Sequence, residues 1–306
     1  MPASSSEDPV SCRLPDFLMI GAAKSGTTML TQRFRRHPRL CVSRVKESEF
    51  FARDEVFAKG FDWYHSLFED PRPDQLCCDA STAYSRSPQY PLAAERIAKS
   101  VPDAKLIYVM RNPVDRAYSH YVHRITRELY PGEPVRVSFE EHVKADPMCM
   151  DGSRYMDQIN KYLPYYPKER FLFLFSENLR ADPESVLSQI WAFLGVEEAD
   201  TSDAPVIVND AKTAQGNEIR SQTMGALRRM PGFHAAARAL PQSWRDKLYS
   251  LMAKSPYGKW QHRRHTPPEL SRETRSHLIN EFREPNRCLA EFLGKDLSHW
   301  SELDSQ

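Results

Sequence analysis

Residues 15–34 read Pro-Asp-Phe-Leu-Met-Ile-Gly-Ala-Ala-Lys-Ser-Gly-Thr-Thr-Met-Leu-Thr-Gln-Arg-Phe, and this stretch restricts the architecture more tightly than any other. Phe17–Ile20 is a short apolar run bounded by Pro15 and Gly21, the pattern of a buried strand. From Thr27 the spacing turns helical: Leu30 and Phe34 lie four apart, and Pro38 ends the segment. Between them lies a turn of small residues, bracketed by Gly21 and Gly26 and carrying one lysine, Lys24. The first N–H groups of a helix have no intrahelical partner, and the helix dipole adds partial positive charge there. A strand, a cramped turn and a helix opening at Thr27 and Thr28 therefore form an anion site. Lys24, Ser25, Gly26, Thr27 and Thr28 are its candidate contacts; the plainer alternative is a strand-to-helix turn with a solvated lysine.

The lysine's position narrows the anion. A nucleoside-triphosphate loop runs Gly, four residues, Gly, Lys, then Ser or Thr. Here Gly21 and Gly26 keep that spacing, but Thr27 fills the lysine's place and Lys24 sits in mid-loop. This order resembles the loop of sulfotransferases that use 3′-phosphoadenosine-5′-phosphosulfate (PAPS), where it grips the 5′-phosphosulfate end of the donor.

A second corner points the same way. Lys105–Met110 is a continuous apolar run, as in a strand covered on both faces, and it ends at Arg111-Asn112-Pro113. Asn112 can cap a helix and Pro113 can occupy its first turn. Val114, Ala117, Tyr118, Tyr121, Val122 and Ile125 then recur at three and four. Arg111 and Ser119 flank this corner, and an arginine fork with a hydroxyl suits a phosphate monoester. The run Arg-Asn-Pro-Val-Asp-Arg-Ala-Tyr-Ser-His-Tyr resembles the sulfotransferase motif in which the arginine and serine bind the ribose 3′-phosphate. His120 and His123, on the same helix, are acceptor-side candidates, with packing or solvation as their plainer reading.

Leu40-Cys41-Val42 can form a short strand whose exit carries Lys46-Glu47-Ser48-Glu49-Phe50-Phe51. A carboxylate at a strand end beside an aromatic anchor can serve as a general base, since strand ends gather around the ligand crevice of α/β sheets. A charged turn pinned by aromatics is the competing reading. Glu-x-x-Phe-Phe and the later Phe61-Asp62-Trp63-Tyr64 resemble the heparan-sulfate-type enzymes, which makes Glu47 the counterpart of the catalytic glutamate. Glu49 falls where many relatives carry histidine and is an acceptor-side candidate. After a possible strand at Leu76–Cys78, Asp79-Ala80-Ser81-Thr82-Ala83-Tyr84 reads as a polar turn. Asp79 and Ser81 are candidates for lining the site, and Ala80 replaces a lysine common in relatives.

Tyr90–Val101 has the spacing of a helix with Leu92, Ile97 and Val101 inward; Ser153–Met156 begins another, whose Tyr155 approaches the donor if the resemblance holds there. Phe171–Phe175 reads as a buried strand, and Asp182-Pro183-Glu184 opens a helix that closes at Gly195. In the polar stretch from Asp200 to Phe233, Lys212 and Arg220 are the nominees for a late donor-binding loop, against a reading as solvated charges. The basic run Lys259–His265 could face an anionic acceptor, a surface charge run being the alternative.

Lys plus Arg total 42 and Asp plus Glu 41, so the net charge of +1 supplies no global field for nucleic acid or anionic membrane. The six cysteines show no metal-ligand spacing and read as reduced thiols of a cytoplasmic protein without zinc or any other metal. Apolar runs fall far short of the roughly 20 residues of a membrane span, and no secretory signal opens the chain. Residues 1–15 read as a disordered tail and 16–306 as one sulfotransferase domain, with 200–265 its variable loop and helical region.

The resemblance, from Phe17 to Trp300, implies a single α/β domain with a central parallel sheet flanked by helices, the P-loop-like sulfotransferase fold. It implies sulfuryl transfer from PAPS, leaving 3′-phosphoadenosine-5′-phosphate (PAP), to a hydroxyl or, less readily, an amine of a carbohydrate or small-molecule acceptor. Glu47 would take the proton and Lys24 would stabilise the leaving group. The competing expectations are a nucleoside-triphosphate kinase, which Lys24 and Arg111 disfavour, and a non-catalytic anion-binding module.

Overall fold

The computed structural model describes residues 13–131, 133–202 and 267–303. The expectations for the 1–12 part of the tail, for Lys212 and Arg220, for the basic run 259–265 and for most of the variable region lie outside the described residues.

Among the described residues five strands, β1 (Phe17–Gly21), β2 (Leu40–Val42), β3 (Leu76–Ala80), β4 (Lys105–Met110) and β5 (Phe171–Phe175), form one parallel sheet in the order β2-β3-β1-β4-β5. Helix α1 (Thr27–Phe34) leaves β1, and the short α2 (Asp54–Phe57) and α3 (Gly60–His65) lie between β2 and β3. α4 (Ala93–Ser100) precedes β4; α5 (Pro113–His123) follows it, then α6 (Phe139–Ala145), α7 (Met148–Asp151) and α8 (Tyr155–Tyr162). β5 runs into α9 (Ser176–Ala181) and α10 (Pro183–Leu194), and α11 (Arg272–Leu293) is followed by a short 3-10 turn at Ser298–Ser301.

The apolar runs are continuous because both faces of the sheet are covered. Leu18, Ile20, Leu106, Tyr108 and Met110 face a core with Phe50, Phe51, Tyr64 and Tyr84. Their strand neighbours Phe17, Met19, Ile107 and Val109 face Leu30, Phe34, Ile190 and Trp191 on the other side. Each large apolar side chain so buried contributes roughly 1.5–3 kcal/mol. A third cluster joins α5, through Val114, Ala117, Tyr121 and Val122, and Ile125 just after it, to Leu278, Ile279 and Phe282 of α11.

Local signals set the element ends. The Asn112 side chain accepts from the Val114 and Asp115 N–H groups, with Pro113 in the first turn of α5. Asp182 caps α10, which ends at Gly195 in the left-handed conformation.

Two expectations are corrected. Leu92 was expected inward but is exposed: α4 begins only at Ala93, after Pro91, so its buried stripe is Ala93, Ala94 and Ile97. β3 continues through Asp79 and Ala80, so the turn begins at Ser81. Cys41, Cys77, Cys78, Cys149 and Cys288 carry free thiols. Among the described residues, no helix is long and apolar enough to cross a membrane.

Candidate active site

The carboxyl ends of β1, β3 and β4 open on one edge of the sheet, and the turns leaving them build the site. Between β1 and α1, Lys24 holds φ +70° and Gly26 φ +96°. Glycine suits the left-handed φ at Gly26, and a Cβ there would also approach the Leu179 side chain to 2.8 Å. No side chain caps α1, so its first N–H groups remain available to a ligand. The Ser25 hydroxyl is buried beside them without a partner.

At the neighbouring corner, the Arg111 guanidinium donates to the Lys24 carbonyl at 3.3 Å, so the two turns adjoin. Tyr155, a candidate donor contact, is fully buried against the same corner. Its hydroxyl accepts from the Arg111 N–H at 3.1 Å and donates to the Arg111 carbonyl at 2.7 Å, fixing the backbone that carries the guanidinium. Glu177 accepts from the Asn112 N–H at 2.8 Å and pins the same corner from α9. Ser119 sits two turns into α5, largely buried. Burial, then Arg111, Arg127 and Lys46, push the Lys24 ammonium down to about 8, with Glu128 opposing them. A turn that sets Lys24 and Arg111 beside an uncapped helix start is suited to a polyanion.

Glu47 follows the exit of β2 and lies against the end of β3. Its Oε1 accepts from Lys46 Nζ at 2.7 Å, and its Oε2 accepts from the Thr82 N–H at 2.6 Å and the Thr82 hydroxyl at 3.0 Å. The Glu47 N–H donates to the Ala80 carbonyl at 3.0 Å, tying it to the end of β3. Arg86 donates to the Thr82 hydroxyl at 3.0 Å and steadies that partner. Lys24, Glu47 and Glu49 all have positive φ, at roughly 1–2 kcal/mol each for a residue with a Cβ. Such strain persists where the surroundings over-determine the backbone, as at functional sites.

The structure does not bring every expected residue to the site. Strand alternation puts Asp79 on the same face as Cys77, under the aromatic core, instead of in the cleft. Its Oδ2 accepts from Ser48 at 2.8 Å, Tyr64 at 2.8 Å and Tyr84 at 2.6 Å. Burial raises its pKa while those three bonds pull it back. Ser81 is equally buried and accepts the Glu49 N–H at 3.0 Å. The two therefore hold the Ser48–Glu49 corner in place and do not line a cleft. Glu49 is engaged with Arg53 at 3.1 Å. His120 is buried and held neutral, first by burial and then by Arg116 and Arg86. His123 pairs with Glu128 at 3.3 Å.

Asp79→Asn should cost about 2–3 kcal/mol, because a neutral amide oxygen would accept three hydroxyl bonds that the carboxylate now accepts with its charge, in a dry core. Urea unfolding checks this, and a loss below about 0.5 kcal/mol would remove the buried knot as a support of the site.

Sequence reasoning missed Arg116, Thr82 and Arg86. Arg116 is fully buried, bonding Ser153 Oγ at 2.7 Å, the Cys149 carbonyl at 2.6 Å and, at 3.4 Å, the Ala23 carbonyl of the β1 turn. A Cβ on Gly152 would come within 3.0 Å of it. Its only sequence signal is a charged residue inside the apolar stripe of α5. Among the described residues, no group of three His, Cys, Asp or Glu side chains could hold a metal ion.

Residues 14–270 match the family model of the sulfotransferase domain. The chain is 33% identical over 204 residues to the bifunctional heparan sulfate N-deacetylase/N-sulfotransferase 3 of Homo sapiens, covering 60% of this chain and 22% of that protein. It is 30% identical over 194 residues to the heparan sulfate glucosamine 3-O-sulfotransferase 6 of Homo sapiens, covering 62% of this chain and 54% of that protein. The chain thus spans about a fifth to a half of these relatives. A crystal structure of a sulfotransferase from Alicyclobacillus acidocaldarius shares the fold, with a TM-score of 0.65, 24% identity, and coverage of 95% of this chain and all of that one.

Proposed function

The chain belongs to the sulfotransferase domain family, and from that premise we propose that it moves a sulfuryl group from PAPS to a hydroxyl of a carbohydrate or small molecule. The observation that carries this reading is the adjacency of two cationic turns, Lys24 beside an uncapped helix start and Arg111 within 3.3 Å of its carbonyl. The buried, unpartnered Ser25 hydroxyl fits an oxyanion in the same turn. In this reading Lys24, Ser25, Gly26, Thr27 and Thr28 hold the 5′-phosphosulfate, and Arg111 and Ser119 hold the 3′-phosphate. The names of the relatives support a carbohydrate acceptor.

The acceptor oxygen attacks sulfur, the bond from sulfur to the phosphate oxygen breaks, and PAP departs. Glu47 takes the acceptor's proton, while Thr82 and Lys46 hold its carboxylate in one orientation. Lys24 meets the charge that grows on the leaving phosphate oxygen. The transition state of such transfers is loose, which leaves the protein chiefly positioning and charge matching to supply.

Calorimetric titration with PAP and with ADP tests the reading. PAP should bind at least tenfold tighter, and Arg111→Ala should weaken PAP by about 10–100-fold, the worth of a charge-assisted fork. Equal affinity for the two nucleotides would overturn the assignment of the 3′-phosphate.

The depressed Lys24 pKa gives a second check. The ammonium is charged below about 8 and loses its proton above it, so PAP affinity should fall as pH rises from 7 to 9.5. Lys24→Arg, charged throughout, should flatten that profile. An identical fall in the variant would assign it to another group.

A further inference from the structure

Arg116 lies on α5 between Arg111 and Ser119, and its side chain is buried. We propose that Arg116 is a positioning residue for the donor: its guanidinium sets the spacing of the Lys24 and Arg111 turns, so that one molecule charged at both its 5′ and its 3′ end engages both at once. This role rests on the transferase reading above.

The fork reaches every part of the donor site. Its Nη1 donates at 3.4 Å to the carbonyl of Ala23, the residue before Lys24. Its Nε donates to Ser153 Oγ at 2.7 Å and its Nη2 to the Cys149 carbonyl at 2.6 Å, and Ser153 Oγ donates to that same carbonyl at 3.1 Å. Two residues beyond Ser153, the Tyr155 hydroxyl holds both the N–H and the carbonyl of Arg111. On its own helix Arg116 lies one turn after Asn112, whose carbonyl accepts its N–H at 2.9 Å, and just under one turn before Ser119. One planar side chain therefore meets the β1 turn directly, the Arg111 corner through Ser153 and Tyr155, and Ser119 through α5.

Filling space does not account for this residue. Among the described residues no carboxylate pairs with Arg116, whose partners are two carbonyls and a hydroxyl. A buried cation without a counterion is costly, and an apolar side chain would occupy the same volume without that penalty. What arginine adds is a rigid fork that fixes its partners in one plane.

Spacing matters because a ligand gripped at both ends gains over one gripped at a single end only while the two grips match its length. The direct link between the turns, from the Arg111 guanidinium to the Lys24 carbonyl at 3.3 Å, uses a group for which a bound phosphate would compete. Arg116 ties the same turns with donors that are themselves buried.

Calorimetric titration with PAP, adenosine 5′-monophosphate and adenosine 3′-monophosphate reads the spacing. In the unaltered protein PAP should bind at least about tenfold tighter than either mononucleotide; without that advantage the transferase reading itself fails. In Arg116→Met the advantage should shrink to within about threefold, while each mononucleotide keeps its affinity to within about twofold. Gly152→Ala is a second, milder variant. Gly152 has φ −68°, where alanine is unstrained, and the new Cβ would stand 3.0 Å from Arg116 Nη2 and 3.3 Å from both Nη1 and the Met148 carbonyl, pushing the fork aside. It should weaken PAP at least about threefold and leave the mononucleotides within about twofold, and it decides the question if Arg116→Met does not fold. A PAP advantage kept in the folded variants, or an equal loss for all three nucleotides, would make Arg116 a support of the fold alone and overturn the assignment.

Discussion

Lys24→Ala is expected to slow sulfuryl transfer by about 10³-fold, since removing one preorganised donor from developing oxyanion charge costs about 10²–10³ and here a full charge goes with it. The ammonium stands in a turn already pressed by Arg111 and Lys46, so its charge is held at a cost that an incoming polyanion repays. Alanine keeps the Cβ and therefore the same left-handed strain at φ +70°, which makes the substitution a test of charge and not of backbone. The loss should fall mainly on the rate of the chemical step in single-turnover measurements, with a smaller loss in PAP affinity, because the leaving oxygen gains charge only as the bond to sulfur breaks. A variant that loses PAP affinity but transfers at the normal rate when saturated would make Lys24 a ground-state anchor only.

Much of this architecture was legible because it depends on local rules. β1, β4 and β5 follow apolar runs covered on both faces, and the Asn112-Pro113 and Asp182-Pro183 starts follow capping chemistry that neighbours in sequence satisfy among themselves. The adjacency of the Lys24 and Arg111 turns follows from the pairing of β1 with β4, a strand order that two loops after two buried strands suggest. What stayed hidden depends on parity and on distant partners. Whether Asp79 points to the cleft or to the core turns on a one-residue question, how far β3 runs, and at Ala80 the answer buries it under Tyr64 and Tyr84. Lys46 beside Glu47 is visible in the sequence, but Thr82 arrives from the exit of another strand, and Arg86 four residues later. Arg116 meets Cys149, Ser153 and Ala23 only after three elements have folded around it.

That partner set makes Glu47→Gln the sharpest probe of the chemistry. Glutamine keeps the side chain's shape, so its amide oxygen can still accept from the Thr82 N–H and hydroxyl, and the strained backbone at φ +61° carries no new burden. The proton acceptor is gone, and turnover should fall by about 10²–10⁴-fold, the usual worth of a positioned base. Lys46 meanwhile loses the carboxylate at 2.7 Å and turns its charge loose in the site. PAP should therefore bind as tightly as before or tighter, by an amount that shrinks as salt rises. Misfolding would weaken PAP and lower turnover together, whereas loss of a base divides them. If Glu47→Gln turns over within tenfold of the unaltered protein while holding PAP normally, proton removal belongs to another group, and Glu47 is reduced to an anchor for Lys46 and Thr82.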